Sequence, residues 1–247
     1  MSVDFYLSII GLIKNNMQKK LNIVITGGNR GIGYGLMKIF LKKHNVLITV
    51  RNDKKGQIST SAFPDSKNKK NYTVMDIDDF DSVQAAGIQI KKIFNKVDLL
   101  INNAGILLNE YALPALETTD ESIIKTFNTN TLGVLRVCRV IVPLMKSGGR
   151  IINISSGMGQ LDKMESGSTA YRISKTSLNA LTKILSNELS PLGIKINTIC
   201  PGWVQTDMGG KNATLTVEES TVQIASFALK NNFPNGQFLR HGEIIPW

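Results

Sequence analysis

The sequence predicts one doubly wound α/β domain, a parallel sheet of about seven strands with helices on both faces. Three observations carry that prediction. Short runs rich in Ile and Val alternate with longer stretches of helical periodicity. Those runs are apolar throughout, as strands covered on both faces must be. A glycine-rich turn follows directly on the first of them and leads into a helical stretch.

Taken in order, residues 21–26 form the first strand and residues 31–43 the first helix. Strands at 46–50 and 72–75 flank an irregular segment, 51–71. A helix over 80–94 leads to a strand at 97–102. A long helical stretch at 121–145 precedes a strand at 150–154. A second long helix, 169–189, precedes a strand at 194–199, and a last strand falls at 237–239. Residues 157–168 and 202–216 are the other irregular parts. Strands alternating with helices imply right-handed crossovers. There is no repeat, low-complexity tract or long linker, so residues 21–247 read as a single domain and residues 1–20 as an extension ahead of it. A start at Met17 would give the same fold, because the first strand begins only at Leu21.

Composition narrows the function. The apolar run at 5–13 is short, is preceded by Asp4 and has no basic residue before it, so it makes a poor signal peptide. No stretch is long and apolar enough to cross a bilayer. Cys138 falls in a helical stretch and Cys200 in a strand, and without an export signal they read as reduced thiols of a cytoplasmic protein. His44 and His241 have no companions at metal-ligand spacing, so neither a metal site nor a histidine-based triad is expected. The net charge of +10 raises the question of nucleic acid. The lysines, however, occur as scattered pairs (Lys19-Lys20, Lys42-Lys43, Lys54-Lys55, Lys69-Lys70, Lys91-Lys92) without interleaved aromatics. They read as a solvated surface, with neither nucleic acid nor membrane as partner.

Two features carry chemistry. The first strand runs into Thr26-Gly27-Gly28-Asn29-Arg30-Gly31-Ile32-Gly33, a G-x-x-x-G-x-G turn that lets the backbone approach a pyrophosphate facing the helix N-terminus. Tyr171 and Lys175, four residues apart on a helix, share one face. The ammonium can then lower the proton affinity of a phenol whose ordinary pKa is about 10, and reaching neutrality needs roughly 4 kcal/mol. The second strand ends at Arg51-Asn52 without an acid at its tip, and Arg30 in the turn could reach the same point. Both suit the 2′-phosphate of NADP(H), with NAD(H) the lesser alternative and Asp53 the competing feature.

The chain resembles the short-chain dehydrogenase/reductase family from about Leu21 to its end. Beyond the glycine turn and Tyr171/Lys175, the resemblance rests on Asn102-Asn103-Ala104-Gly105, Asn130-Thr131-Leu132-Gly133, Ile154-Ser155-Ser156 and Pro201-Gly202-Trp203-Val204-Gln205-Thr206-Asp207. The run ending Thr206-Asp207-Met208-Gly209-Gly210, the ending Pro246-Trp247, and Val50-Arg51-Asn52-Asp53 with Gly56-Gln57 are similar to the Sniffer-like and C-signal-like NADPH-dependent carbonyl reductases. No long insertion separates Ser156 from Tyr171, unlike the monomeric members of that group.

The resemblance implies a Rossmann-type fold and a set of roles. Tyr171 gives its proton to a carbonyl oxygen as hydride arrives, and Ser156 donates a hydrogen bond to that oxygen. Lys175 depresses the pKa of Tyr171 and binds the nicotinamide ribose, while Asn130 holds a water linking Lys175 to solvent. Cofactor contacts are expected from Gly27, Asn29, Arg30, Gly31, Ile32 and Gly33, from Arg51 and Asn52, and from Asp76 and Ile77 near the adenine. Further contacts are expected from Asn103, Ala104 and Gly105, from Tyr171 and Lys175, and from Pro201, Gly202, Val204 and Thr206.

Candidate walls for a substrate are Leu107, Leu108, Gln160, Leu161, Trp203 and Met208. They are largely apolar and offer no arginine to clamp a carboxylate, so the expected substrate is a neutral aldehyde or ketone. A nucleotide-sugar epimerase or dehydratase would need a larger C-terminal domain than the residues after Lys175 supply. A nucleotide-binding redox sensor or signalling protein on the same fold is the second reading. The family also implies a homodimer paired through 121–145 and 169–189.

Overall fold

The computed structural model describes residues 20–61, 71–108 and 113–247, so the extension read at 1–20 lies outside it except for Lys20. Eight strands form one sheet in the order β3-β2-β1-β4-β5-β6-β7-β8. They are β1 Asn22–Ile25, β2 Asn45–Val50, β3 Tyr72–Val74, β4 Val97–Asn102, β5 Met145–Ile154, β6 Lys195–Cys200, β7 Phe238–Arg240 and β8 Glu243–Ile245. The first seven run parallel, and β8 turns back antiparallel on β7. The expected count of about seven therefore misses β8, a three-residue strand too short to leave a pattern.

Register turns the apolar runs into two cores. Leu47, Val24, Leu100, Ile151 and Ile196 stand side by side across five strands. They pack under α3 (Phe80–Ile93), α5 (Gly133–Ile141) and α6 (Thr169–Leu189). One residue along, Ile48, Ile25, Ile101 and Ile152 face the opposite way. They meet α1 (Gly31–Phe40) and α7 (Val217–Ala228). Cys138 and Cys200 are both buried and free, and burial pushes the Cys138 thiol up to about 12.

Several expected boundaries move. The stretch 121–145 is not one helix. It divides into α4 (Asp120–Phe127), a π turn at Asn128–Leu132, α5, and a 3-10 turn at Val142–Leu144, and Met145 already belongs to β5. Residues 51–71, expected to be irregular, contain α2 (Asp53–Thr60), a polar helix whose N-cap Asn52 accepts from Lys55 N. The helix α7 was also missed, although Thr216 and Glu219 form a capping box that the sequence displays as T-x-x-E.

A buried polar chain fixes α6 on the sheet. Asn102 Nδ2 donates to Asn153 Oδ1 and Asn153 Nδ2 to Thr182 Oγ1, both at 2.8 Å. Such bonds cost little once made and much if one partner is lost. They hold the helix bearing Tyr171 and Lys175 in one position against the carboxyl ends of β4 and β5.

Candidate active site

The carboxyl ends of β1, β2, β4, β5 and β6 surround one open cleft. Its first wall is the turn between β1 and α1. Gly27 and Gly31 both take positive φ, +65° and +52°, where a side chain would be strained. The turn is stapled to β4. Thr26 Oγ1 accepts from Asn103 N and Ala104 N, each at 3.0 Å, and Asn103 Nδ2 donates to the carbonyls of Thr26 and Gly27. Gly33 lies beneath, where a Cβ would come 2.5 Å from Gly27 O. The α1 N-terminus has no side-chain cap from Arg30 and no acid in its first turn. Its leading N–H groups are thus open to an anion.

At the far end of the cleft stand Arg51 and Lys55, with Asp76, Ile77 and Asp78 opposite. Asp53, the competing acid, is spent elsewhere. Its carboxylate accepts from Tyr72 Oη at 2.8 Å and from Gln57 Nε2 at 2.5 Å. Gly56 makes this possible, since a Cβ there would meet the Tyr72 ring at 2.2 Å.

At the near end, α6 presents Tyr171 and Lys175 to the same cleft. The Lys175 ammonium lies 5.6 Å from the centre of the Tyr171 ring and donates to Ile154 O at 2.9 Å. Burial pushes the Lys175 pKa down to about 8, while nearby Cys200 acts in the opposite direction. Ser155 lines the cleft and Ser156 stands just beyond it as the N-cap of the turn Gly157–Gly159. Ser156 Oγ accepts from Met158 N at 3.1 Å, which leaves its own proton available.

That turn is clamped onto α6. Gly159 O accepts from both Thr176 Oγ1 and Asn179 Nδ2 at 3.1 Å, and a Cβ on Gly159 would lie 2.7 Å from the Lys175 carbonyl carbon. We expect Gly159→Ala to cost about 1–3 kcal/mol by overpacking. It should also lower kcat by moving Ser156 away from Tyr171. Thermal melting and steady-state kinetics on the same variant check both.

Asn130 sits in the π turn, fully buried, with its side chain bonded to the Ile106 backbone on both sides and to Ser174 Oγ. A π turn at a functional position is a recurrent device. Gly105 passes between Asn130 and Lys175, where a Cβ would lie 3.0 Å from Asn130 Oδ1 and 3.6 Å from the ammonium.

Of the other expected residues, Asn29, Ile32, Ala104, Pro201, Thr206 and Met208 line the cleft. Asn52 caps α2, Gly202 turns beside Leu215, and Val204 is buried in a bridge to Leu215. Leu161 and Trp203 are exposed, Leu107 and Leu108 half-buried and Gln160 buried, all off the cleft wall. The Trp203 indole donates to Gly209 O at 2.8 Å. Arg30 forms an ion pair with Asp207, joining the glycine turn to the segment after β6 across the mouth. Unforeseen lining residues include Thr49, Lys55, Asp78, Thr129 and Gln205. Lys55 could be placed only once α2 was known, whereas Thr49 sits at a strand's carboxyl end, which was a usable signal.

A family model described as short chain dehydrogenase matches residues 21–215. The chain is 31% identical to the carbonyl reductase Sniffer of D. melanogaster, covering 93% of this chain and 100% of that one, with a TM-score of 0.82. It is 28% identical to an NADPH-bound carbonyl reductase from chicken fatty liver, with the same coverage and TM-score. NADPH-dependent carbonyl reductase 1 of Mus musculus is 27% identical over 91% of this chain and 97% of its own length.

Proposed function

We propose, since the chain belongs to the short-chain dehydrogenase family, that it is an NADPH-dependent reductase of small neutral aldehydes or ketones with Tyr171 as proton donor. One observation carries this reading: a tyrosine and a buried lysine meet in the same cleft as an uncapped helix N-terminus behind a glycine turn. The cleft fits a pyrophosphate-bearing dinucleotide, because the free N–H groups of α1 and the close turn suit two phosphates. Arg51 and Lys55 suit a further phosphate on the ribose, with Asp53 held aside and Arg30 ion-paired to Asp207. When bound, the reduced dinucleotide supplies the hydride.

The chain's own residues do the rest. Tyr171 delivers a proton to the carbonyl oxygen. Ser156 donates a hydrogen bond to that oxygen, stabilising charge as it develops. Lys175 places a positive charge beside the phenol, and Asn130 fixes the Gly105–Ile106 backbone next to it. Met208 gives the cleft an apolar wall, and a small neutral substrate needs no carboxylate clamp. Pairing of two copies through α4–α5 and α6 belongs to the same proposal, supported by the exposed Ile124, Ile173 and Ile184.

Absorbance assays of NADPH oxidation over aldehydes, ketones and quinones test the reading, and no turnover with any class would overturn it. Arg51→Asp should raise the KM for NADPH roughly 10- to 100-fold, because one charge-assisted bond contributes about 1.5–3 kcal/mol. The KM for NADH should hold or fall. Steady-state kinetics with both cofactors check this.

A further inference from the structure

The net charge is +10, and among the described residues many of the exposed lysines gather at one end of the molecule. In a parallel sheet the amino ends of the strands and the carboxyl ends of the crossover helices share one edge, opposite the cleft. On that edge Lys20 precedes β1, Lys42 and Lys43 lie between α1 and β2, and Lys91 and Lys92 end α3. Lys146 and Lys195 open β5 and β6, and Lys230 follows α7. All eight are exposed. Two acids lie at this end among the described residues: Asp98, bound to Lys96 at 2.5 Å, and Glu188 in the last turn of α6. His44 reports the crowding, since burial and then Lys43 and Lys20 lower its pKa.

Two exposed aliphatic side chains stand among these lysines: Ile93 at the end of α3, 40% exposed, and Leu192 in the turn after α6, 57% exposed. Among the described residues no exposed aromatic that could stack on bases lies there: Phe80 and Trp203 are at the opposite end. Arg150 is committed to Ala228 O and the Phe233 ring. Flexible lysines interleaved with aliphatics match a lipid headgroup layer, where each cation adds attraction and each apolar side chain can enter the interface.

We propose that this lysine-rich edge docks on an anionic lipid bilayer, with the cleft facing water on the other side. Among the described residues no helix is long and apolar enough to cross a membrane, so the contact is peripheral. Co-sedimentation of the full chain with vesicles tests it, using phosphatidylcholine alone or with roughly one third phosphatidylserine. Binding is expected only to the anionic vesicles at about 0.1 M salt and should be lost near 0.5 M. Lys91→Glu/Lys92→Glu should weaken it at least about tenfold, Leu192→Asp should act in the same direction, and NADPH turnover in solution should not change. Equal binding to both vesicle types, indifference to salt and charge reversal, or tighter binding to duplex DNA would overturn the proposal.

Discussion

Tyr171→Phe should lower kcat for carbonyl reduction by about a hundred- to ten-thousandfold, the range of a positioned general acid, while leaving NADPH affinity within a factor of two or so. Tyr171 is the residue of α6 that lines the cleft beside Lys175, so its phenol is the group whose loss removes the proposed proton donor. Phenylalanine keeps the ring that packs beside the ammonium and preserves the helix. Affinity is read by NADPH fluorescence and turnover by absorbance. The same variant separates the enzyme from a dinucleotide-sensing protein, since a sensor would keep its cellular effect. A variant turning over as fast as the parent would remove Tyr171 from the chemistry.

Lys175→Met should cost activity on a similar scale yet make the protein more stable. With its pKa held near 8, against an ordinary 10.5, the ammonium is mostly charged at neutral pH although buried. The difference corresponds to a penalty of about 3 kcal/mol. The sign follows from linkage: between those two values the unfolded chain binds more protons, so stability rises with pH there. The penalty is fully present below pH 8 and is gone once pH exceeds 10.5. Thermal melts should therefore favour the Met variant at pH 7, and its advantage over the parent should shrink from about pH 8 upward. In the parent, reduction should slow as pH rises through 8, because the positive charge beside Tyr171 is lost. A profile flat through that range would contradict this account of Lys175.

Helix 169–189 and strand 97–102 were legible to the residue because each has a clean pattern and sharp ends. The break at Asn128–Leu132 was not. Its Asn128-Thr129-Asn130-Thr131 run is polar and of low helix propensity, but such residues also occur within continuous helices, and the bonds of Asn130 to Ile106 and Ser174 that accompany the π turn are tertiary. Helix α2 carries no apolar stripe over Asp53–Thr60, so periodicity could not reveal it, and with it went the position of Lys55. Lys20, Lys42-Lys43 and Lys91-Lys92 looked scattered along the chain because their gathering with Lys146, Lys195 and Lys230 depends on topology. Six separate loops reach the same edge only after the sheet has formed. Tyr171 and Lys175, four residues apart on one helix, needed no tertiary information to be placed together. The distance from either to the glycine turn did.

The segment from Trp203 to Gly210 closes on itself: the indole reaches Gly209 O, and Gly209 N and Gly210 N both return to Thr206. The serine turn, by contrast, is fastened to the helix that bears the proton donor. What the molecule accepts and what it does to it are therefore supported by different parts. Under the proposed function, changing the exposed Trp203 and Met208 of that segment, while keeping Thr206 and the Arg30–Asp207 pair that tie it to the cofactor cleft, would retune selectivity and spare the reaction apparatus, so substrate range is the property of this protein freest to drift.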